Sequence, residues 1–157
     1  MWKFRVKIWQ SAWVIAIVAA IIGGLVAEFL IPTIANYIAG PSVQIISPVE
    51  GEDVEWSPAG HLASGTYREV GDNLHLYVLV HPFPTDKWWV QRTPTLIDDR
   101  NWQAIVYFGH ESVGVGDHYE LAAIITDKIL QEGLTLILDD FPSYDAKAVI
   151  TVVRKAD

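Results

Sequence analysis

The sequence contains no cysteine, which excludes both a disulfide framework and a metal site with thiolate ligands. Basic residues are scarce as well: 11 lysines or arginines stand against 19 aspartates or glutamates, and the formal net charge at pH 7 is −8. All but one of the acidic residues fall in 41–157, whereas residues 1–10 carry three basic residues and no acidic one. An acidic body of this kind repels a phosphate backbone, so we do not expect nucleic acid as a partner.

Motifs that carry catalysis are also missing from the sequence. It contains no glycine-rich phosphate loop, no G-x-S-x-G nucleophile elbow and no H-E-x-x-H metal motif. The stretch GHESVGVGDH (109–118) places Ser112 between two histidines, but its glycines are typical of a hairpin turn. We therefore expect a protein that is not an enzyme, with no catalytic residue and no cofactor.

Two sets of side chains are candidate metal ligands. The first set lies on outward positions of predicted strands and consists of His75, His81, His118 and Glu120. Six residues of strand separate His75 from His81, which is roughly 20 Å, so these two cannot hold one ion. The second set is acidic: Glu50, Glu52, Asp53 and Glu55, with Asp98–Asp99 or Asp139–Asp140. It lacks the ligand spacing of a calcium loop, so we expect no metal site, with calcium as the alternative.

What the sequence does contain is a long apolar run. Residues 8–27 have no charged side chain, and only Gln10 and Ser11 are clearly polar. As a helix this run is roughly 30 Å long, the thickness of a bilayer's hydrocarbon core. The apolar region of a cleavable signal peptide is shorter, about 7–15 residues. The sequence therefore predicts one uncleaved transmembrane helix with its exit segment over 11–40.

The basic residues predict the orientation of this helix. Lys3, Arg5 and Lys7 precede the apolar run. The positive-inside rule then places residues 1–10 in the cytoplasm and a domain of residues 41–157 on the other side. We expect a single-pass protein of the cytoplasmic membrane, with the lipid bilayer as its first partner.

Small side chains recur every four residues in the predicted helix. The candidate helix–helix contacts are Ala12, Ala16, Ala20 and Gly24 in one row and Ala19, Gly23 and Ala27 in another. In lipid, such spacing lets two helices approach closely. It predicts association with a second copy or with another subunit, the alternative being that Ala and Gly are simply common in membrane helices.

After Pro41 the pattern changes to short apolar or alternating runs separated by Gly, Pro, Asp and Asn, which predicts an all-β sandwich of about seven strands. We place these strands at 43–47, 62–67, 74–81, 88–91, 102–108, 119–126 and 149–154. Alternation assigns to the core Leu74, Leu76, Val78, Val80, Trp102, Ala104, Val106, Phe108, Tyr119, Leu121, Ala123 and Ile125. For 127–145 we expect a short helix followed by an extended run at 134–138.

Several positions of this body carry a family resemblance. They are Ile45, Pro48, Gly51 and Val54; Gly65 and Thr66; Trp89 and Gln91; Trp102; Phe108 and Gly109; and Gly116, Tyr119 and Leu121. In this spacing, residues 43–154 resemble the immunoglobulin-like and fibronectin type III-like modules of bacterial and archaeal proteins. The resemblance implies a fold, but not a function, because such modules serve as spacers, binding domains and scaffolds.

Two tryptophans in FPTDKWWVQRTP are the best candidates for contact with a ligand or partner. Neighbouring strand residues point to opposite faces, so we expect one of Trp88 and Trp89 in the core and the other outside, near Gln91. An exposed tryptophan stacks on a sugar ring or anchors a protein, although packing against the proline-rich turn is the alternative. A second candidate surface is an apolar outer face formed by Tyr77, Leu79, Ile105, Tyr107 and Ile124. Either a partner or segment 127–146 covers it.

These observations predict a non-enzymatic, membrane-anchored β-sandwich. We expect it to be an accessory or structural subunit of a membrane or envelope assembly, in contact with another protein or with a second copy. A carbohydrate- or protein-binding module is the alternative. A pilin-like filament subunit is a further alternative, although the processing glycine that pilin precursors place beside their basic residues is missing after Lys7.

Overall fold

The computed structural model describes residues 40–68, 71–111 and 113–155. Within these ranges, no helix is long and apolar enough to cross a membrane. The predicted transmembrane helix, with its candidate contacts from Ala12 to Ala27, lies outside the described residues, as does Ser112.

About half of the described residues form β-strands and almost none form helix, which confirms the prediction of an all-β body. The strands are β1 Ser42–Ser47, β2 Asp53–Val54, β3 His61–Arg68, β4 His75–Pro82, β5 Lys87–Val90, β6 Thr95–Leu96, β7 Asn101–Val106, β8 His118–Thr126, β9 Thr135–Ile137 and β10 Ala146–Arg154. Seven of these correspond to the seven predicted strands. The sequence did not predict β2 and β6, because two residues are too few to show alternation.

The region between β8 and β10 differs from its prediction. The extended run expected at 134–138 is present as β9, but the helix expected before it is not formed in this described segment. Residues 127–134 form bends and a turn, in which the Leu134 amide donates to the Gln131 carbonyl oxygen at 3.1 Å and Gly133 has a φ of 77°. Gly133 breaks a helix at this point. The one short 3-10 helix of the described residues, Leu138–Asp140, follows β9 instead.

The strands form two sheets. One has four strands in the order β1-β3-β7-β6, and the other has six in the order β2-β10-β8-β4-β5-β9. All neighbouring strands are antiparallel except β2 and β10, which are parallel. The longest pairings join β8 to β4 and to β10, so β8 lies in the middle of the larger sheet.

The main core is built from inward-facing side chains of both sheets. It includes Trp102 and Val106 of the smaller sheet and Val78 and Leu121 of the larger one, each at most 2 % exposed. The alternation of β7 and β8 therefore predicted the core face of both strands. At its centre, the Trp102 ring packs against Gly65 of the neighbouring strand.

A second apolar cluster lies on the other face of the six-stranded sheet. It consists of Tyr77, Leu79, Trp88, Val90, Ala122 and Ile124, packed against Leu130, Leu136 and Phe141. The last three belong to residues 127–145, which we call the covering segment. β9 of this segment pairs with β5 at the sheet edge, and the Leu130 amide donates to the Tyr77 hydroxyl at 3.0 Å.

This cluster corrects the predicted outer face. Tyr77 and Leu79 are 7 % and 0 % exposed, because the covering segment lies over them, so neither is available to a partner in this structure. Ile105 and Tyr107 do not belong to that face. Ile105 lies in β7, which is part of the other sheet, and Tyr107 directly follows β7. The alternative in which segment 127–146 covers the face is the one observed.

Candidate functional site

The two tryptophans of β5 have different environments. Trp88 is 4 % exposed: it stacks on the His81 ring at 4.9 Å and meets Phe141 edge-on at 5.0 Å. Trp89 pairs with Val80 across the sheet and stays partly exposed. As alternation predicted, one tryptophan is buried and the other is not. Trp88 is therefore a packing residue, and contact with a ligand falls to Trp89.

Trp89 forms one wall of an open cleft of about 350 Å³. The lining residues come from β4, β5 and its following loop, the end of β7, the start of β8 and the covering segment: Val80, Pro82, Trp89, Val90, Gln91, Arg92, Tyr107, Gly109, Tyr119, Glu132 and Gly133. Three of these are aromatic, and Tyr107 is 41 % exposed. The cleft is concave, largely apolar and rimmed by a few polar groups, which is the usual character of a small-molecule site.

Gln91 holds two walls of the cleft together. Its Nε2 donates to the Trp89 carbonyl oxygen at 3.1 Å, and its Oε1 accepts from the Tyr107 amide at 3.0 Å. Its own amide donates to the Val78 carbonyl oxygen at 2.8 Å. Gln91 is only 8 % exposed, and both polar atoms of its side-chain amide already form hydrogen bonds within the protein. Its main role is therefore to fix the spacing of the aromatic walls, not to contact a ligand.

Opposite charges face each other at the rim. Nε of Arg92 lies 3.6 Å from Oε1 of Glu132, and both side chains are more than half exposed. An ion pair this exposed contributes little to stability, so it exchanges readily for contacts with a ligand. Glu132 belongs to the covering segment, which thus completes the cleft.

The floor of the cleft is Tyr119, which lies beside a buried arginine. Burial raises the pKa of the Tyr119 hydroxyl above its ordinary value, and the charge of Asp117 raises it further, while Arg154 acts in the opposite direction. The Arg154 guanidinium is 1 % exposed and donates to the carbonyl oxygens of His110, Glu111 and Val113. In the described part of the chain, Nε of Arg154 is the one buried side-chain polar atom without a partner.

The loop around Tyr119 and Arg154 depends on glycine. Gly109 and Gly114 have φ values of 75° and 93°, and a Cβ atom on either residue would overlap the Tyr119 hydroxyl. Gly109 itself lines the cleft. The lack of a Cβ atom at both positions therefore lets the loop pack closely against Tyr119 and Arg154.

Among the described residues, the candidate histidines are not brought together with other ligands around one point. Nδ1 of His81 lies 2.8 Å from Oε2 of Glu120, and its Nε2 lies 2.9 Å from the Thr85 carbonyl oxygen. His81 lies on the predicted face of β4, where it stacks on Trp88, but it is buried there at 7 % exposure. Across residues 40–68, 71–111 and 113–155, no three histidine or acidic side chains are placed to hold one ion.

Three of the acidic side chains that were candidates for calcium accept hydrogen bonds from backbone amides. Oδ1 of Asp98 accepts from the amides of Arg100 and Asn101, each at 2.8 Å. The side-chain hydrogen bond from Asn101, followed by these two amides, lowers the pKa of Asp98. Glu52 likewise accepts from the Val49 amide of its own turn at 2.8 Å, whereas Glu50 accepts from the Thr151 amide of β10 at 2.8 Å. These carboxylates stabilise turns and, in the case of Glu50, join a turn to the last strand.

Comparison with models of known protein families finds no match, and comparison with curated proteins finds none either.

The sequence predicts the cleft only in part. Trp89 and Gln91 are among its predicted contact residues, but Tyr107 is predicted on the wrong face and Tyr119 only as a core residue. It had no signal for Glu132, because this residue reaches the rim only through the pairing of β9 with β5.

Proposed function

We propose that this protein is a non-enzymatic, single-pass membrane protein that displays an immunoglobulin-like sandwich outside the cytoplasmic membrane. The sandwich recognises a component of a membrane or envelope assembly, of which the protein is an accessory subunit. The observation that carries the proposal is the cleft between Trp89 and Tyr107, whose walls are fixed by Gln91 and whose rim presents opposite charges.

The strand order supports the immunoglobulin-like assignment. The sheet β1-β3-β7-β6 corresponds to strands A, B, E and D of that fold, and β10, β8, β4 and β5 correspond to G, F, C and C′. Two features depart from the pattern. The buried Trp102 lies on the strand equivalent to E rather than to C, and β9 is an additional edge strand from the covering segment.

The membrane tether is supported by the uncharged run at 8–27 and the basic residues before it. Protease added to intact cells, or to spheroplasts where an outer layer shields the protein, tests this part. We expect the body to be cleaved without lysis. A body cleaved only after lysis would overturn the proposed orientation.

Site-specific crosslinking in native membranes tests recognition at the cleft. A photoreactive phenylalanine analogue in place of Arg92 sits at the cleft mouth, and the same analogue in place of Tyr144 is the matched control, because Tyr144 is 50 % exposed and outside the cleft. We expect an adduct from position 92 that is absent from position 144 and lost when Trp89→Ala is added. An adduct that survives Trp89→Ala, equal adducts from both positions, or no adduct would each overturn the proposal.

A further inference from the structure

We propose that the cleft binds a neutral sugar ring, stacked on Trp89 with its hydroxyl groups on Arg92 and Glu132. This inference rests on the proposed function, in that it takes the cleft to be the recognition site, and it names the chemistry of what is recognised.

The walls of the cleft suit a flat ring with one apolar face. Trp89 and Tyr107 come from different sheets and are held at a fixed spacing by the two side-chain hydrogen bonds of Gln91. The C–H face of a pyranose packs on an aromatic ring as other apolar surfaces do. A volume of about 350 Å³ lies at the lower end of the range for small-molecule sites. The cleft therefore has room for one or two rings, with the rest of a glycan outside.

The rim suits the edge of such a ring. The Arg92 guanidinium offers hydrogen-bond donors and the Glu132 carboxylate offers acceptors, with only 3.6 Å between Nε and Oε1. Two neighbouring hydroxyl groups can accept from one and donate to the other at the same time. An alkyl or aromatic guest would form no hydrogen bond with either charged group, which makes it a poorer fit.

Charge favours a neutral sugar over an acidic one. Residues 41–157 carry 18 acidic and 8 basic residues, so their field repels an anion. At the rim itself, a carboxylate or phosphate on the ligand would meet Glu132 as well as Arg92. A neutral ring avoids this repulsion and still uses both side chains.

A binding screen with the full chain in detergent or nanodiscs tests the inference. The probes are neutral hexoses, N-acetylhexosamines and their disaccharides, with uronic and sialic acids as the acidic set. We expect at least one neutral sugar to bind and to change tryptophan fluorescence. Trp89→Ala and Tyr107→Ala should each weaken that binding about tenfold or more, since loss of one stacked ring costs on the order of 1.4 kcal/mol.

Three further variants separate binding from folding. Glu132→Gln is exposed and should weaken the neutral sugar several-fold while leaving the thermal midpoint unchanged. Tyr144→Ala removes an aromatic ring that is 50 % exposed and lies outside the cleft, and it should leave affinity unchanged. Trp89→Phe keeps a ring and should bind more tightly than Trp89→Ala.

Four results would overturn the inference. They are tighter binding of acidic than of neutral sugars, sugar binding that survives Trp89→Ala, an equal loss in Tyr144→Ala, and no sugar binding at all. If no sugar binds but position 92 still crosslinks in membranes, the sugar is wrong and the recognition site stands. If both experiments are negative, the proposed function fails with it.

Discussion

Nη2 of Arg154 donates a 2.9 Å hydrogen bond to the carbonyl oxygen of Glu111, which joins the last strand of the sandwich to the loop that follows β7. Nη1 of the same side chain donates to the carbonyl oxygens of His110 and Val113. No side-chain carboxylate pairs with this buried guanidinium in the described residues. Its role is to hold the loop that begins at Gly109, and with it one wall of the cleft.

Replacing this arginine should loosen that loop. We expect Arg154→Met to lower the free energy of unfolding by about 2–4 kcal/mol, because several charge-assisted hydrogen bonds are lost and the carbonyl groups must find other partners. Urea denaturation measures the change. The control is Lys155→Met, which removes an exposed ion pair with Asp53 and should cost about 1 kcal/mol or less. Equal losses in both variants would contradict the role of Arg154.

The buried hydroxyl of Tyr119 should make stability depend on alkaline pH. Its pKa in the folded state is raised, chiefly by burial, above the ordinary value near 10 that it has when unfolded. The folded state therefore keeps the proton longer than the unfolded state. This contribution is fully present below pH 10 and is lost as the pH rises through the folded pKa.

Urea midpoints at pH 8, 9.5 and 11 measure this dependence. Tyr119→Phe should lose less stability between pH 9.5 and pH 11 than the unaltered chain does. Tyr144→Phe, an exposed site, should follow the unaltered chain. Parallel curves for the unaltered chain and Tyr119→Phe would mean that the hydroxyl does not titrate differently on folding.

The strands and the main core could be predicted because their signal is local. In β7 the side chains of Trp102, Ala104 and Val106 alternate with Asn101, Gln103 and Ile105, and this alternation places the first three correctly in the core. The same signal fails in β4, where Leu76–His81 is buried on both faces and alternation cannot show what covers the second one. For this reason the sequence wrongly predicts that Tyr77 and Leu79 are exposed to a partner.

The cleft could not be predicted in full, because it depends on long-range pairing. Strand alternation predicts that one of Trp88 and Trp89 is exposed to a ligand. The position of Trp89 opposite Tyr107, however, results from two hydrogen bonds of Gln91. Glu132 arrives at the rim through a strand that returns to β5 from beyond β8. Neither contact leaves a periodic pattern in the sequence.

Phe141 should keep the covering segment in place. Its ring meets Trp88 at 5.0 Å, and Nζ of Lys147 lies 4.5 Å from its centroid. We expect Phe141→Ala to cost about 2–3 kcal/mol, less than for a fully buried phenylalanine because the ring is partly exposed. Hydrogen exchange should quicken at Val90, whose amide donates to the Leu134 carbonyl oxygen at 2.9 Å, and not in β8.

The same variant connects the covering segment to the cleft, because Glu132 forms part of the rim. Any ligand that binds at the cleft should bind Phe141→Ala more weakly. The matched control is Ile129→Ala, on the same segment but 80 % exposed, which should change neither exchange nor binding. If Phe141→Ala leaves the exchange of Val90 unchanged, the ring does not hold the segment.

Gly65 is a position where the addition of a single methyl group should strongly destabilise the fold. It lies in β3 opposite Ile45 on one side and Trp102 on the other, and a Cβ atom there would overlap both the Gln44 carbonyl oxygen and the Trp102 ring. Neither neighbour can move easily, since one is backbone in a paired strand and the other is a ring at 0 % exposure. We expect Gly65→Ala to cost about 3 kcal/mol or more.

The comparison that isolates this effect is Gly71→Ala. A Cβ atom at Gly71 meets no described atom within 4 Å, so its effect should lie within about 1 kcal/mol and be stabilising if anything, because alanine restricts the unfolded chain. Thermal and urea denaturation of the two variants should therefore differ strongly for the same chemical change. Similar stabilities would mean that the Trp102 ring and β1 can move aside to accept the added methyl group.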